Sequence, residues 1–218
     1  AVVYLCALGD LSVLEAIDIA RIPSPPEILL RLVQTVEDEQ ATMGELATIV
    51  KQDPGLASRI LSVANSPALR RGKELKTLET CLIALGTRLV RSLATCLSIQ
   101  KLFDRNPNLD KFDVADYWSH SLMVGEMARG VAELAEFPHP DEAYLSGLLH
   151  DIGELILLSA IGEPYHRFLA NASENPKLQA EEFQLFGTTH ADVGGWLIDH
   201  WGLDSVLADG VAFHHTTA

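Results

Sequence analysis

The sequence predicts an all-α fold, and three observations lead to that prediction. Helix-capping residues recur along the chain, apolar residues repeat at intervals of three and four, and alternating patterns typical of strands never extend beyond about four residues. Of the 218 residues, 48% are hydrophobic and 21% are charged, a composition typical of a globular chain with a sizeable core. We therefore expect a two-lobed bundle of helices.

Helix-start signals place the first elements early in the chain. Ser24, followed by two prolines and Glu27, has the pattern of an N-cap and a first helical turn. Thr42 begins a second capping box, and Asp53 before a proline opens a third helix, which ends at Asn65-Ser66-Pro67.

A longer helical region follows and leads to the predicted boundary between two lobes. Thr77 caps a helix that ends at Gly86, and Thr87 starts another that reaches Phe103. Residues 104–110 are polar and contain an Asn-Pro-Asn turn signal, so they are the best linker candidate. The predicted divisions are a leading segment over residues 1–21, an N-terminal helical lobe over 22–109 and a second helical lobe over 110–218.

The second lobe has its own start and stop signals. Asp113 can cap a helix that continues to about Glu136, and His139-Pro140-Asp141 then breaks the chain and starts the next helix. Further helices are expected over Glu163–Ala172, Leu178–Phe186, His190–Trp201 and Ser205–His215.

The formal net charge of −14 is unevenly distributed. Residues 1–109 carry 12 basic and 12 acidic side chains, whereas residues 110–218 carry 4 basic and 18 acidic ones. Such a negative field repels nucleic-acid phosphates and attracts cations, so we do not expect DNA or RNA as the main partner. The second lobe either binds metal or has a merely solvated acidic face.

Cysteine use and hydropathy predict a cytoplasmic protein that does not enter a membrane. The three cysteines form no CxxC pair and lie in apolar contexts that suit buried thiols in a reducing compartment. The longest apolar runs are shorter than the roughly 18 residues that a membrane-spanning helix needs. No basic stretch precedes the first apolar run, as it would in a signal peptide, and the missing initiator methionine indicates an excised piece.

Histidine and aspartate residues supply the strongest chemical signal. Imidazole and carboxylate ligands suit zinc, iron, manganese or nickel, and a carboxylate flanked by histidines can bridge two metals. Ligands from four helices would have to converge in the core of a bundle. The candidate metal ligands are His120, His150, Asp151, His190, His214 and His215.

These candidates also have structural interpretations. His150 and Asp151 follow an apolar run, so they could instead form a hydrogen bond that joins helices. Of His214 and His215, one could simply be exposed, since neighbouring helical residues point about 100° apart. Surface or capping positions are expected for His139 and His166, while His200 lies on the helix predicted from His190.

Two further features are open to both functional and structural interpretations. Tryptophans could line a ligand pocket near the histidines or pack in the core. A basic cluster after the Asn-Ser-Pro break could form a partner surface or a solvated loop. These residues are Trp118, Trp196 and Trp201, and Arg70, Arg71, Lys73 and Lys76.

The order of the motifs resembles a known superfamily. His120, His150-Asp151, His190 and His214-His215 follow the order of the HD superfamily of metal-dependent phosphohydrolases, in particular its HD-GYP cyclic-di-GMP phosphodiesterases. The first half is similar to the HDOD domain, and the resemblance covers about residues 20 to 215. The segments that carry it are Ile22–Pro26, Gln52–Pro67 and Ala84-Leu85-Gly86.

The HDOD resemblance implies a bacterial signalling module with two helical lobes, commonly joined to receiver-like domains and generally without established catalytic activity. The HD pattern implies that the six candidate ligands could hold one or two divalent ions, and it also leads us to expect a final Asp ligand downstream of His215. Two departures weaken the phosphodiesterase interpretation: Glu154 stands where those enzymes carry a lysine, and Thr216-Thr217-Ala218 replaces their Gly-Tyr-Pro. A carboxylate in place of that lysine would repel a phosphate.

The expected function is a non-catalytic signalling domain that acts on a protein partner, an attached domain or a second copy in a homodimer. The alternative is a metal-dependent phosphohydrolase of a nucleotide or cyclic dinucleotide, in which Asp151 bridges the metals and a metal-bound hydroxide attacks phosphorus. A further alternative is a pocket that binds a small ligand without turnover. The sequence has no GxxxxGK[ST] or GxGxxG phosphate-binding motif.

Overall fold

The computed structural model describes residues 26–37, 42–67, 70, 72–104, 106–171 and 178–216. Every regular element among these residues is helical, which confirms the predicted all-α fold. The predicted leading segment and the Ser24 cap lie outside the described residues. Contacts between helices divide the chain into two compact units, one within residues 26–104 and one within 106–216.

The first unit packs its helices around one apolar core. Their bounds are α1 Glu27–Glu37, α2 Met43–Lys51, α3 Pro54–Ala64 and α4 Leu78–Phe103. Leu32, Val50 and Ile60 are 0% exposed, and burying a side chain of this size contributes about 1.5–3 kcal/mol. Cys81 and Cys96 are buried free thiols, as their apolar contexts predicted.

Local capping explains where the helices of the first unit begin. Thr42 and Glu45 form the predicted capping box, Asp53 accepts hydrogen bonds from two backbone amides in the first turn of α3, and Thr77 caps α4. The predicted interruption at Gly86 is present inside α4 as a residue with φ of 80°, a conformation that glycine adopts readily. These features depend on neighbouring residues and follow from the sequence.

The second unit contains a longer series of helices after a single 3₁₀ turn, Pro107–Leu109. Ile152, Leu155, Leu157 and Leu158 are each at most 2% exposed, so the helix that contains them forms the centre of this unit. The helices are α5 Val114–Leu134, α6 Pro140–Leu149, α7 Ile152–Ile161, α8 Glu163–Ala170, α9 Leu178–Phe186, α10 His190–His200 and α11 Ser205–Ala212.

The last helix is shorter than predicted, and this difference bears on the site. Because α11 ends at Ala212, His214 and His215 lie in a turn rather than on a helix. The expectation that they point about 100° apart as helical neighbours is therefore wrong, although His215 is exposed, as the structural interpretation of the pair allowed. Their ring centroids lie 4.1 Å apart, so the turn directs both imidazoles toward one region.

Two helical stretches are long and apolar enough to cross a membrane, Leu78–Phe103 and Pro140–Ile161. Of their most apolar windows, 50% and 67% are buried inside the structure. Core helices of globular proteins pass the same test of length and hydropathy, so this observation is weak evidence for a membrane span. The sequence analysis counted only unbroken apolar runs, and its expectation that the chain does not enter a membrane stays a prediction.

Candidate metal centre

The six predicted ligand residues come together at one place in the second unit. His120 lies on α5, and His150 and Asp151 form the junction between α6 and α7. His190 is the first residue of α10, and His214 and His215 follow α11. Residues that are far apart in the sequence therefore lie close together in the second unit, with His150 and His190 buried and His120 and His215 exposed at the edge of the group.

The carboxylate of Asp151 lies between two groups of histidines. Its Oδ2 atom is 2.9 Å from Nε2 of His150 and 3.7 Å from Nε2 of His120. Its Oδ1 atom is 3.4 Å from Nε2 of His214 and 3.6 Å from Nε2 of His190. Each oxygen thus faces its own pair of imidazoles, which is the geometry of a bridging carboxylate.

The donor atoms form two overlapping groups, each small enough to surround one ion. One group is His120, His150 and Asp151, and the other is Asp151, His190, His214 and His215; within each, the atoms lie within 4.8 Å of one another. The Nε2 atoms of His120 and His150 lie 3.3 Å apart, and Nε2 of His190 lies 3.4 Å from that of His214 and 3.0 Å from that of His215. Two nitrogens bound tetrahedrally to one ion at about 2.1 Å would be about 3.4 Å apart.

The hydrogen bonds at the other ring nitrogens show that Nε2 is the atom left to bind a cation. Nδ1 of His150 donates to the Gly147 carbonyl at 2.8 Å, and Nδ1 of His214 donates to the Val211 carbonyl at 2.7 Å. Because a carbonyl oxygen can only accept, the proton of each neutral ring is on Nδ1 and Nε2 carries a lone pair. These lone pairs face an anionic carboxylate, so without a metal the rings would need a second proton there; the donor set fits a divalent metal.

Glu182 orients the most deeply buried histidine. It is 0% exposed, and its Oε2 accepts from Nδ1 of His190 at 2.8 Å. Its Oε1 accepts from the backbone amide of His190 at 3.0 Å and from the hydroxyl of Tyr165 at 2.6 Å. Sequence reasoning missed both Glu182 and Tyr165, because no motif marks them and only the folded contacts show their partners. A carboxylate in this position fixes the ring and increases its basicity.

Metal binding requires an ionised carboxylate and neutral imidazoles, and the electrostatics favour this state at Asp151 and His215 but oppose it at His190. Burial disfavours the charged form of Asp151, but hydrogen bonds from His150 and His214, which form only when their Nε2 atoms carry a proton instead of a metal, keep the pKa of Asp151 well below its usual range. Partial loss of hydration, followed by the neighbouring His214 and His190, lowers the pKa of His215 to about 4, although His215 is exposed to solvent. Burial alone would lower the pKa of His190, but the bond to Glu182 outweighs it and the pKa is raised.

Glu154 lies in the electrostatic environment of this cluster. Burial, followed by repulsion from the Asp151 carboxylate, raises the pKa of Glu154 to about 8. The side chain therefore provides no positive charge where a lysine is found in the HD-GYP enzymes that the sequence resembles.

Close helix packing at glycines positions the ligand-bearing segments. A Cβ added at Gly153 would overlap the carbonyl oxygen of His190, so α7 meets the start of α10 there. A Cβ added at Gly147 would lie 2.9 Å from Cα of Gly125, where α6 crosses α5. These close approaches bring the α6–α7 junction against two other ligand-bearing helices.

The other described histidines lie outside the cluster. His139 is exposed and makes no capping hydrogen bond, and His166 bonds to the Lys111 carbonyl at 3.1 Å through Nε2. His200 stacks on Trp196 with ring centroids 5.0 Å apart. Their positions agree with the surface or capping roles expected of the first two.

The two other features of the sequence do not contribute to the centre. Trp118 and Trp201 are buried at 7% and 5% exposure, as core residues are. None of the three tryptophans lines the pocket that borders the cluster. Of the basic cluster, Arg70, Lys73 and Lys76 are exposed and belong to the first unit, and Arg71 lies outside the described residues.

Comparisons with known proteins agree with this architecture. The sequence model of the HDOD domain matches residues 22–217. A candidate signal transduction protein of Marinobacter aquaeolei VT8 has a similar solved structure, with 25% identity, a TM-score of 0.74, and coverage of 90% of this chain and 45% of that chain. The solved structure of a candidate phosphohydrolase of Shewanella amazonensis SB2B is also similar. It is 25% identical, with a TM-score of 0.68, and the match covers 96% of this chain and 73% of that chain.

A curated relative is much longer than this chain. It is an uncharacterized protein of Treponema pallidum (strain Nichols), 22% identical over 196 residues. The match covers 89% of this chain and 37% of that protein. The activity and partners of a longer protein therefore do not follow from the match.

Proposed function

Because the chain belongs to the HDOD domain family, we propose that it is a signalling domain that binds divalent cations and acts through a protein partner or an attached domain. In this proposal the metal centre has a structural and regulatory role, and no substrate is turned over. The observation that carries the metal site is the position of Asp151, whose two oxygens face separate histidine groups. The similarity to a candidate signal transduction protein supports the signalling role.

The arrangement of the cluster supports metal binding. Without a metal, the imidazole nitrogens that face the Asp151 carboxylate would either repel it through their lone pairs or have to take up a second proton. Iron, manganese, zinc and nickel all accept imidazole and carboxylate ligands. The six residues could hold two ions, one on each side of Asp151.

The surroundings of the centre disfavour phosphoryl transfer. Enzymes that stabilise a transferring phosphoryl group commonly direct Arg or Lys side chains at its oxygens. The three basic residues described in the second unit all face carboxylates, with Lys111 and Arg167 near Glu163 and Arg129 buried beside Asp141. Glu154, whose pKa is raised to about 8 and which is therefore mostly protonated at pH 7, supplies no positive charge near the cluster either.

A metal-dependent phosphohydrolase is the second candidate, and the close approach of the six His and Asp side chains favours it. When bound, a metal pair would supply an activated water at neutral pH. The protein would hold the pair through Asp151 and orient His190 through Glu182. The similarity to a candidate phosphohydrolase supports this alternative.

A turnover assay with a ligand-deficient control separates the two candidates. The full chain is loaded with Mn²⁺ or, without oxygen, with Fe²⁺, and incubated with nucleotides, cyclic dinucleotides and bis(p-nitrophenyl) phosphate. We expect bound metal and no turnover above that of Asp151→Ala. Turnover that disappears in Asp151→Ala would establish the hydrolase instead, and failure to bind any divalent metal would contradict both candidates.

A further inference from the structure

One face of α5 exposes a continuous row of large apolar side chains. Met123, Met127, Val131 and Leu134 are 58%, 65%, 65% and 88% exposed. Their spacing of four, four and three residues places them on one side of the helix. Single exposed apolar residues are ordinary, but a continuous row of this kind marks an interaction surface. We call these four residues the methionine stripe.

An apolar pocket borders the methionine stripe and extends toward the metal centre. Its volume is about 460 Å³, and Val124 and Ala128 line it from α5, each next in sequence to a methionine of the stripe. Phe137 and Val206 line it as well and remain 43% and 56% exposed. His150 and His214 also contribute to its wall. The stripe and the pocket thus form one apolar surface.

The charges around this surface indicate what can bind to it. Glu126, Glu133 and Glu136 are exposed along the same helix and just beyond it, and the basic residue of α5, Arg129, is 3% exposed and paired with carboxylates. A partner with basic residues beside its apolar face would be attracted. A second copy of this chain, or an anionic membrane, would bring negative charge against negative charge.

We propose that the methionine stripe and its pocket bind an amphipathic helix of a partner protein, with Lys or Arg residues flanking its apolar face. One large apolar side chain of that helix occupies the pocket, beside His150 and His214. Unbranched methionines adapt to different apolar surfaces, and helix-in-groove binding uses anchors at such spacings. This inference rests on the proposed signalling function: that function requires a protein partner, and the inference describes the chemistry of that partner.

A designed peptide provides the probe. It is a helix of about 18 residues made of Leu and Lys, with one Trp on its apolar face, and its control replaces every Lys by Glu. Fluorescence anisotropy measures binding of the labelled peptides to the metal-loaded full chain. The protein variants are Met127→Asp in the stripe and Ile83→Asp as a matched control, since Ile83 is 74% exposed in the first unit. Circular dichroism verifies that both variants are folded.

The stripe variant separates apolar docking from simple charge attraction. Met127→Asp makes the protein more acidic, so purely electrostatic binding of the Lys peptide would be unchanged or stronger. We expect binding to weaken by about tenfold or more in Met127→Asp and to change by less than about twofold in Ile83→Asp. We expect no saturable binding of the Glu peptide.

Several results would overturn the inference. The first two are a Lys peptide that shows no saturable binding and a Met127→Asp variant that binds the Lys peptide as tightly as the original chain. The others are a Glu peptide that binds as tightly as the Lys peptide, and a homodimer, seen in sedimentation, that Met127→Asp dissociates. The last result would assign the stripe to a second copy. Metal content is measured on the same samples: peptide binding without metal would contradict the proposed metal centre alone, and bound metal without peptide binding would contradict this inference alone.

Discussion

The two units follow the same rules of helix formation but bury different chemistry. In the first unit the described buried polar residues carry only hydroxyls, namely Ser92, Thr95 and Ser98. In the second unit the described buried residues include four ionisable ones, Arg129, His150, Glu182 and His190. Because buried ionisable groups are unfavourable without partners, this difference supports the proposal that the metal centre lies in the second unit.

The largest expected effect tests the packing that positions the centre. Gly153→Val should unfold the second unit or cost more than about 4 kcal/mol, because any Cβ there overlaps the His190 carbonyl of α10. Thermal unfolding followed by circular dichroism measures the change, and metal content should fall with it. Gly130→Ala is the matched control, since its added Cβ meets no atom within 4 Å, and it should be neutral or slightly stabilising. Equal stability of Gly153→Val and the original chain would refute the packing account.

Metal removal should distinguish the units directly. A ligand at about 1,000 times its dissociation constant stabilises the native state by about 4 kcal/mol, and this stabilisation is lost on chelation. Hydrogen exchange measured by mass spectrometry should therefore increase in α7 and α10 after chelation and stay unchanged in α2 and α3. A uniform increase, or no change in either unit, would contradict the comparison.

A smaller effect is expected from the residue that orients His190. Glu182→Gln should weaken metal binding by about 10- to 100-fold, because the amide keeps the size of the side chain but loses the charge that faces Nδ1. Competition with a coloured chelator measures the affinity. Tyr165→Phe is the control, since it leaves both contacts between Glu182 and His190 in place. An affinity unchanged in Glu182→Gln would mean that Glu182 has only a packing role.

The smallest effect belongs to the first unit. Asp53→Ala should cost about 1 kcal/mol at pH 7 through loss of the α3 cap, with metal content unchanged. The hydrogen bond from Lys101 holds the pKa of Asp53 below its ordinary value of 3.8, so this stabilisation is present above that value. Chemical denaturation at several pH values should show the difference disappear as the pH falls through the lowered pKa. A loss of bound metal in this variant would contradict the assignment of the metal centre to the second unit alone.

The sequence predicted the features that depend on neighbouring residues. The caps at Thr42, Asp53 and Thr77 and the interruption at Gly86 all involve residues within one helical turn. The six members of the cluster were also identified, because metal-binding residue types stood in short, recognisable motifs.

Other features depend on contacts that the sequence does not display. Glu182 resembles any acidic residue of a surface helix until folding buries it against Tyr165 and His190. The early end of α11 at Ala212 was also missed, because the apolar pattern continues to Phe213 while the chain turns. That turn lets His214 and His215 face the cluster together.

Manganese stoichiometry tests the central claim most directly, namely that Asp151 bridges two metal sites. Bound Mn²⁺ per chain is counted after equilibrium dialysis, and electron paramagnetic resonance shows whether the ions are coupled. The account predicts two coupled ions in the original chain, one ion after His120→Ala, and loss of the coupled pair after Asp151→Ala. A single uncoupled ion in the original chain, or a coupled pair that persists without Asp151, would contradict it.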